Sequence, residues 1–426
     1  MNIPPQYALG ALVAAIVFVI AVIKTDVAFI LLIFSMLFSP EFQVGAVPGR
    51  EVVWRFDDVM LFVVFFGWLA KLAVNKEMGL LRPNPVNRPI LFYVGACVFS
   101  SLVGALQGTN DPRQSVFYIV KYTQYFMIFF MVANHVSSVK QARKFIFFIL
   151  LTAFLVGIYA QLFHVMPGAR ATAPFEGEAG EPNTLAGYLL IMISLATGML
   201  LYARRGKRRI LLSGFLAFLI IPFLFTLSRA GWMGMMVVLV SFLLFTRRNR
   251  DSLVVALFVM LILSFFFMPE TVEERFHSTF LPGRTYAVMG RSFTVAESAA
   301  LRVDSWQASF KVWLERPIFG RGVPGGGSVS DVQYTRILRE TGIVGFLVFI
   351  WIMSTLFKAA FRTFNDPEVD DAGQGIALGF ICALAGLLAM GVAIEFFILI
   401  RIMEPFWFLA AIVVVLPDIS RRKEIT

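Results

Sequence analysis

Charge is scarce in this chain. Asp, Glu, Lys and Arg make up 15% of its 426 residues, where a soluble domain carries about 25%. With a mean hydropathy of +0.79, that shortfall excludes an ordinary soluble globular protein. Cysteine is almost missing. Cys97 and Cys382 each sit inside an apolar run, which leaves no disulfide framework and no cysteine metal site. The three histidines, His135, His164 and His277, are far apart in sequence. No HExxH, no clustered Cys/His set and no GxSxG is present, so metallohydrolase and serine-hydrolase chemistry have no starting point. The apolar runs lack strict alternation, which argues against a β-barrel. The Gly-rich run Gly320–Gly327 lacks the Gly-Lys-Ser/Thr ending of a phosphate loop. The net charge of +10 resides in short connections between apolar runs, so it does not indicate nucleic-acid binding. No cleavable signal peptide is expected: Tyr7 to Ile23 lacks a basic leader and runs straight into the next apolar stretch.

Long apolar stretches are what the chain has. They fall at 8–23, 25–39, 57–75, 89–107, 115–133, 143–164, 183–203, 209–227, 229–246, 251–268, 332–360, 373–395 and 398–417. Lengths near 20 residues suit membrane-crossing helices, so the sequence predicts an all-α polytopic membrane protein with 12 or 13 spans. The uncertainty in number lies at Lys24-Thr25-Asp26, which suits either a tight turn between two spans or the middle of one long helix. Basic residues collect at Lys71/Lys76/Arg82/Arg88, Lys140/Arg143/Lys144, Arg204 to Arg209, Arg247/Arg248/Arg250, Lys358/Arg362 and Arg421/Arg422/Lys423. These clusters occupy alternate connections and should share the cytoplasmic face.

The opposite face is also rich in arginine, against the usual trend: Arg170, Arg229, Arg275, Arg284, Arg291, Arg302, Arg316 and Arg321. Arg229 lies in Thr-Leu-Ser-Arg-Ala-Gly-Trp, between two apolar runs with almost no loop. A cation at that depth either snorkels to the headgroups or clamps an anion there. In the 165–182 loop Arg170 is accompanied by Glu176, Glu178 and Glu181, and Asn183 or Thr184 is expected to cap the next span. The 60-residue polar insertion from Glu270 to Ser330 is too long for a simple connector. Within it, Ala296 to Glu315 should be helical. Val303, Trp306, Phe310 and Trp313 form one apolar face, suited to the membrane surface or to packing on the bundle. Pro317 should end that helix. Glu395, Arg401 and Glu404 at the last turn suit either a functional or a structural charge group. Charges within the spans are few, Lys121 with Gln124 being the main exception.

From Asp331 onward the pattern Asp331-x-x-Tyr334-x3-Leu338-x-Glu340-x-Gly342-x2-Gly345, preceded by Arg316-Pro317-Ile318-Phe319-Gly320-Arg321-Gly322, resembles the O-antigen ligase/polymerase family (WaaL/Wzy type). Arg170 with Glu181-Pro182-Asn183-Thr184, the turn Leu227-Ser228-Arg229-Ala230-Gly231-Trp232, and Arg302-x3-Trp306 are similar to three further pieces of that family's pattern. The resemblance covers about residues 165 to 417. It implies a GT-C-like fold with one long periplasmic loop and an inverting glycosyltransferase in the bacterial inner (cytoplasmic) membrane, its active site facing the periplasm. No cofactor or metal is implied. The implied donor is an undecaprenyl-diphosphate-linked oligosaccharide, within a lipid bilayer. A chain-length regulator protein is a candidate partner, and nucleic acid is not.

Arginine suits a lipid diphosphate, because its planar guanidinium gives bidentate hydrogen bonds and keeps its charge. Arg229 and Arg302 are therefore the candidate catalytic cations, with Asp331 as candidate base. Arg170, Asn183, Arg321 and Tyr334 are candidate substrate-binding residues. Ligases of the family carry His where this chain has Asp331, which favours a polymerase joining repeat units. A ligase attaching glycan to lipid A core or protein, and a flippase of lipid-linked sugars, are the alternatives. The chain divides into an N-terminal bundle at 1–164, helices with the Arg170 loop and Ser-Arg turn at 165–268, the long loop at 269–331 and C-terminal helices at 332–426.

Overall fold

The computed structural model describes residues 5–47, 50–74, 82–162, 170–176, 180–204, 206–251, 253–255, 270–278, 284–288, 291–295, 297–325 and 332–422. Helices α1 (Pro5–Ile23), α2 (Thr25–Phe38), α3 (Phe56–Val74), α4 (Asn87–Leu106), α5 (Pro112–His135) and α6 (Val139–Leu162) form the first half. They are followed by α7 (Pro182–Tyr202), α8 (Lys207–Phe225), α9 (Arg229–Phe245), the short α10 (Glu270–His277) and α11 (Glu297–Leu314). Helices α12 (Gln333–Asn365), α13 (Asp371–Met390) and α14 (Ile400–Arg421) complete the chain. Eight of the described helices are long and apolar enough to cross a membrane: α4 to α8 and α12 to α14. The expected span at 251–268 lies mostly outside the described residues.

The helices start where local chemistry directs. Pro112 opens α5 behind Asp111, whose carboxylate accepts from Arg113 N at 2.9 Å. Asp370 caps α13 through Gly373 N at 3.0 Å. Both satisfy donors that a helix start leaves open. Two antiparallel hairpins, β1 (Glu41–Val47) with β2 (Arg50–Arg55) and β3 (Arg284–Val288) with β4 (Arg291–Val295), stand where plain loops were expected.

Helices α7 and α14 are the most enclosed, with 89% of their apolar windows buried, against 17% for α8. The centre of the molecule is therefore α7, α13 and α14, while α8 turns most of its surface to lipid. Helices α7 and α13 approach closely through glycine: a Cβ at Gly198 would stand 2.2 Å from Gly375 O. Around α14, Trp407 stacks on Tyr125 (centroids 6.4 Å, 7° apart) and meets Phe126 and Phe129 edge-on.

The Lys24 break separates α1 from α2 as an antiparallel pair. Lys71 Nζ donates to Thr25 Oγ1 at 2.9 Å, while Gly67, one turn earlier on α3, faces Ala21, one turn before Thr25. Helices α1 and α3 thus run in the same sense. At the end of α2, Arg55 Nη2 donates to Met36 O at 3.1 Å, so α2 runs back along α3.

The basic clusters meet at one end of the bundle. Asp26 pairs with His135 (2.7 Å) and Lys144 (3.6 Å), Arg143 with Asp370, Arg248 with Asp371 (2.5 Å), and Arg421 with Asp366 (2.7 Å). Arg82 Nη1 donates to Val136 O at 3.0 Å. The chain is an all-α polytopic membrane protein whose Lys/Arg-rich connections share an end.

Candidate functional site

At the other end, α8 and α9 meet in a three-residue turn. Leu227 adopts φ 48°, a left-handed conformation unusual for a branched residue, and the carbonyls of Thr226 and Leu227 accept from arginines outside the turn. Arg170 Nε donates to Thr226 O at 2.9 Å. Arg275 Nε reaches Leu227 O at 3.4 Å. Ser228 caps α9 by accepting from Gly231 N at 3.1 Å, and its hydroxyl donates to Asn183 Oδ1 at 2.7 Å. Arg229, the first residue of α9, donates from Nη2 to Ser278 Oγ at 2.6 Å, and Ser278 donates to Arg275 O at 2.8 Å. One short turn thus fixes Arg170, Arg229 and Arg275, which come from three different segments.

Arg302 joins this group from α11. Arg229 lies within electrostatic reach of both Arg275 and Arg302, and Arg170 within reach of Arg275 and Arg229. Burial, and then the neighbouring Arg275 and Arg229, depress the Arg170 guanidinium below its ordinary value. Four cations so gathered repel one another, and a polyanion between them would relieve the repulsion. In the same loop as Arg170, Glu176 Oε2 accepts from Ala173 N (3.1 Å) and Glu181 N (2.9 Å). Burial, opposed by Arg401, pushes its carboxyl up to about 7.

Arg302 Nε donates to Ala393 O at 3.1 Å, in the turn between α13 and α14. That turn also holds the start of α12: Gln333 N donates to Gly391 O at 3.2 Å, and Phe397 N to Gln333 Oε1 at 2.8 Å. Arg302 and residue 333 are therefore anchored on one seven-residue stretch. Asp331 itself lies outside the described residues; Val332, its neighbour, immediately precedes α12 and is buried.

Helix α12 is broken. Gly342 has φ 63°, ψ −163°, a region essentially reserved for glycine. The break opens backbone groups that the Arg316–Gly322 segment fills. Arg321 N donates to Arg339 O and Gly322 N to Glu340 O, both at 2.9 Å, and Ile343 N donates to Pro317 O at 2.9 Å. Ser100 Oγ adds a bond to Glu340 O at 2.6 Å. Irregular backbone at membrane depth persists only where protein satisfies it in this way. The first part of α12 is locked further by side chains. Arg336 bridges Glu340 (2.7 Å) and Glu395, and Tyr122 OH donates to Glu340 Oε2 at 3.0 Å.

These placements refine several expectations. Asn183 is not the cap of α7: the helix begins at Pro182 behind Glu181, because proline suits the first helical position, and Asn183 serves Ser228 instead. Arg321 is held apart from the arginine group, beside Thr109 and the α12 break, and pairs with Glu315. Tyr334 donates its hydroxyl to Leu388 O and packs on Phe346 and Phe349, which makes it a packing residue in this structure. Glu395 pairs with Arg336, while Arg401 donates to the carbonyls of Leu37 (3.2 Å), Phe175 (2.9 Å) and Pro174. Lys121 is neutralised by Asp58. The expected loop helix runs Glu297–Leu314. Its buried positions include Ala300 and Ser309, while Trp306, Phe310 and Trp313 contact one another and remain partly exposed.

Sequence reasoning missed Arg275, Ser278 and the Arg336–Glu340–Glu395 network as site-building residues. Arg275 sits in a short polar helix with no motif to single it out. The Arg336/Glu340 spacing of four residues inside an apolar run was the available signal.

A helical membrane protein with a basic site opposite its Lys/Arg-rich connections is thus defined. Residues 214–350, less than half of the chain, match the family model described as O-antigen ligase (Wzy_C). That stretch, which runs from α8 through the Ser-Arg turn and Arg302 to the α12 break, is therefore similar to the O-antigen ligase family. No curated protein matches the chain.

Proposed function

We propose that this protein transfers a glycan from a polyprenyl diphosphate carrier to an acceptor sugar hydroxyl on the periplasmic side of the inner membrane, joining repeat units of a surface or secreted polysaccharide. The observation that carries this reading is the gathering of Arg170, Arg229, Arg275 and Arg302 at the end of the bundle opposite the basic connections. The positive-inside rule supports a periplasmic position for that end, where a lipid-borne diphosphate would meet these residues.

In the proposed displacement, the acceptor oxygen forms a bond to the anomeric carbon as the bond from that carbon to the diphosphate oxygen breaks. The electron pair leaves with the diphosphate, whose added charge the arginines stabilise. The acceptor proton passes to a carboxylate, for which Asp331 is the candidate; the anchoring of Gln333 on the same turn as Arg302 supports that assignment. Inversion at the anomeric carbon follows from a single displacement.

The test is purified protein in nanodiscs with a synthetic diphosphate-linked repeat unit. Arg229→Ala and Arg302→Ala should each slow chain elongation by about 10²–10³-fold, leaving single lipid-linked units. Normal product length in both variants would refute the reading. A second reading, transfer of finished glycan to lipid A core or protein, is favoured by the family description of residues 214–350. Loss of a ligase leaves long carrier-linked polymer, whereas loss of a polymerase leaves single repeats. Against a flippase stands the pairing of the charges within the spans with one another, Lys121 with Asp58 and Arg336 with Glu340 and Glu395.

A further inference from the structure

At the end opposite the arginine group, a cavity of about 430 Å³ opens between the starts of α6, α8 and α13 and the end of α7. Its charged lining is Arg143, Arg204, Lys207, Arg208, Asp370 and Asp371. Both carboxylates are engaged: Asp370 caps α13 and pairs with Arg143, and Asp371 pairs with Arg248 at 2.5 Å. Arg204 reaches Asp371 only at 3.9 Å and its side chain is 93% exposed. Lys207 and Arg208 have no ion-pair partner among the described residues. The cavity therefore has surplus positive charge that the protein's own acids leave unneutralised, a setting complementary to an anion.

The surroundings decide what kind of anion. Directly after Arg208 and Arg209, α8 exposes Ile210 and Leu211, at 73% and 72%. Only 17% of the α8 apolar window is buried in the protein, and Phe147 on the adjoining α6 is exposed as well. The cavity thus lies where a basic helix start becomes a lipid-facing surface, and Met199 and Tyr202 line it. A soluble anion would use the cations and leave that apolar surface idle. An amphiphile would use both.

We infer that this cavity binds the phosphodiester headgroup of an anionic glycerophospholipid from the leaflet on the Lys/Arg-rich side, its acyl chains lying along α6 and α8. The volume falls within the range of small-ligand sites, and basic pockets between helices on that side are suited to anionic headgroups. The bound phosphate would neutralise Lys207 and Arg208 at the start of α8 and draw in Arg204 from the end of α7.

Purified, delipidated full-length protein provides the test, with dioleoyl phosphatidylglycerol as probe and dioleoyl phosphatidylcholine as control. Native mass spectrometry should show phosphatidylglycerol retained, and thermal unfolding should show stabilisation by phosphatidylglycerol but not by phosphatidylcholine. Lys207→Ala/Arg208→Ala should weaken retention about tenfold or more and remove most of the thermal shift. Arg250→Ala, a change at an exposed cation of the same end that does not line the cavity, should do neither. Equal retention of the two lipids, or unchanged retention in the double variant, would overturn the inference. Displacement of phosphatidylglycerol by millimolar glycerol 3-phosphate would overturn it in favour of a soluble anion.

Discussion

Replacing Gly342 by alanine should disable the protein through its backbone. At φ 63°, ψ −163° an L-residue costs about 1–3 kcal/mol in strain. The added Cβ would also stand 2.3 Å from Ile318 O, a backbone atom that cannot rotate away. The Arg316–Gly322 segment would have to lift, breaking Ile343 N to Pro317 O (2.9 Å) and Val344 N to Ile318 O (3.3 Å), each worth about 1 kcal/mol. The total is about 3–5 kcal/mol. Unfolding in mixed detergent micelles measures it, and Gly214→Ala is the control, since nothing lies within 4 Å of a Cβ there and alanine favours the helix by about 0.5–1 kcal/mol. Because the same break sets the angle of the α12 start that anchors beside Arg302, glycan transfer should fall together with stability. A Gly342→Ala protein as stable and active as the parent would show that the break is incidental to both folding and transfer.

Two further expectations rest on buried charge. The Glu176 carboxyl is raised from 4.5 to about 7, so the folded protein holds its proton more tightly than the unfolded chain. Its contribution is full below about pH 4.5 and is lost as pH rises through about 7, worth at most about 3 kcal/mol. Glu176→Gln should flatten the thermal-stability profile between pH 5 and pH 8 (about three units), and an unchanged slope would assign the pH dependence elsewhere. Arg336→Met should cost about 3–5 kcal/mol, because Glu340 and Glu395 would remain buried without their shared cation. Adding Glu340→Gln and Glu395→Gln should recover more than half of that in the same unfolding assay; no recovery would mean that packing, not charge, sets the cost.

The all-α polytopic architecture, eight spans among the described residues, the alternation of basic connections and the helix at Glu297–Leu314 were legible in the residues, because apolar length and Lys/Arg placement report directly on what the lipid will accept. So was the Ser-Arg turn, a cap with little loop; Gly342 stood only as a position in the family pattern, and the break it makes in α12 was not foreseen. Three-dimensional packing decided the rest. Arg170, Arg229, Arg275 and Arg302 lie up to 132 positions apart (302 against 170), and only the close approach of α7, α9 and α13 collects them. Arg321 and Tyr334 sat in equally suggestive sequence, yet the fold spends one on Glu315 and the other on a carbonyl of α13. A single sequence fixes which groups can be charged, capped or bent. Which of them face one another depends on the long-range pairing of helices, whose interhelical contacts have no local signature.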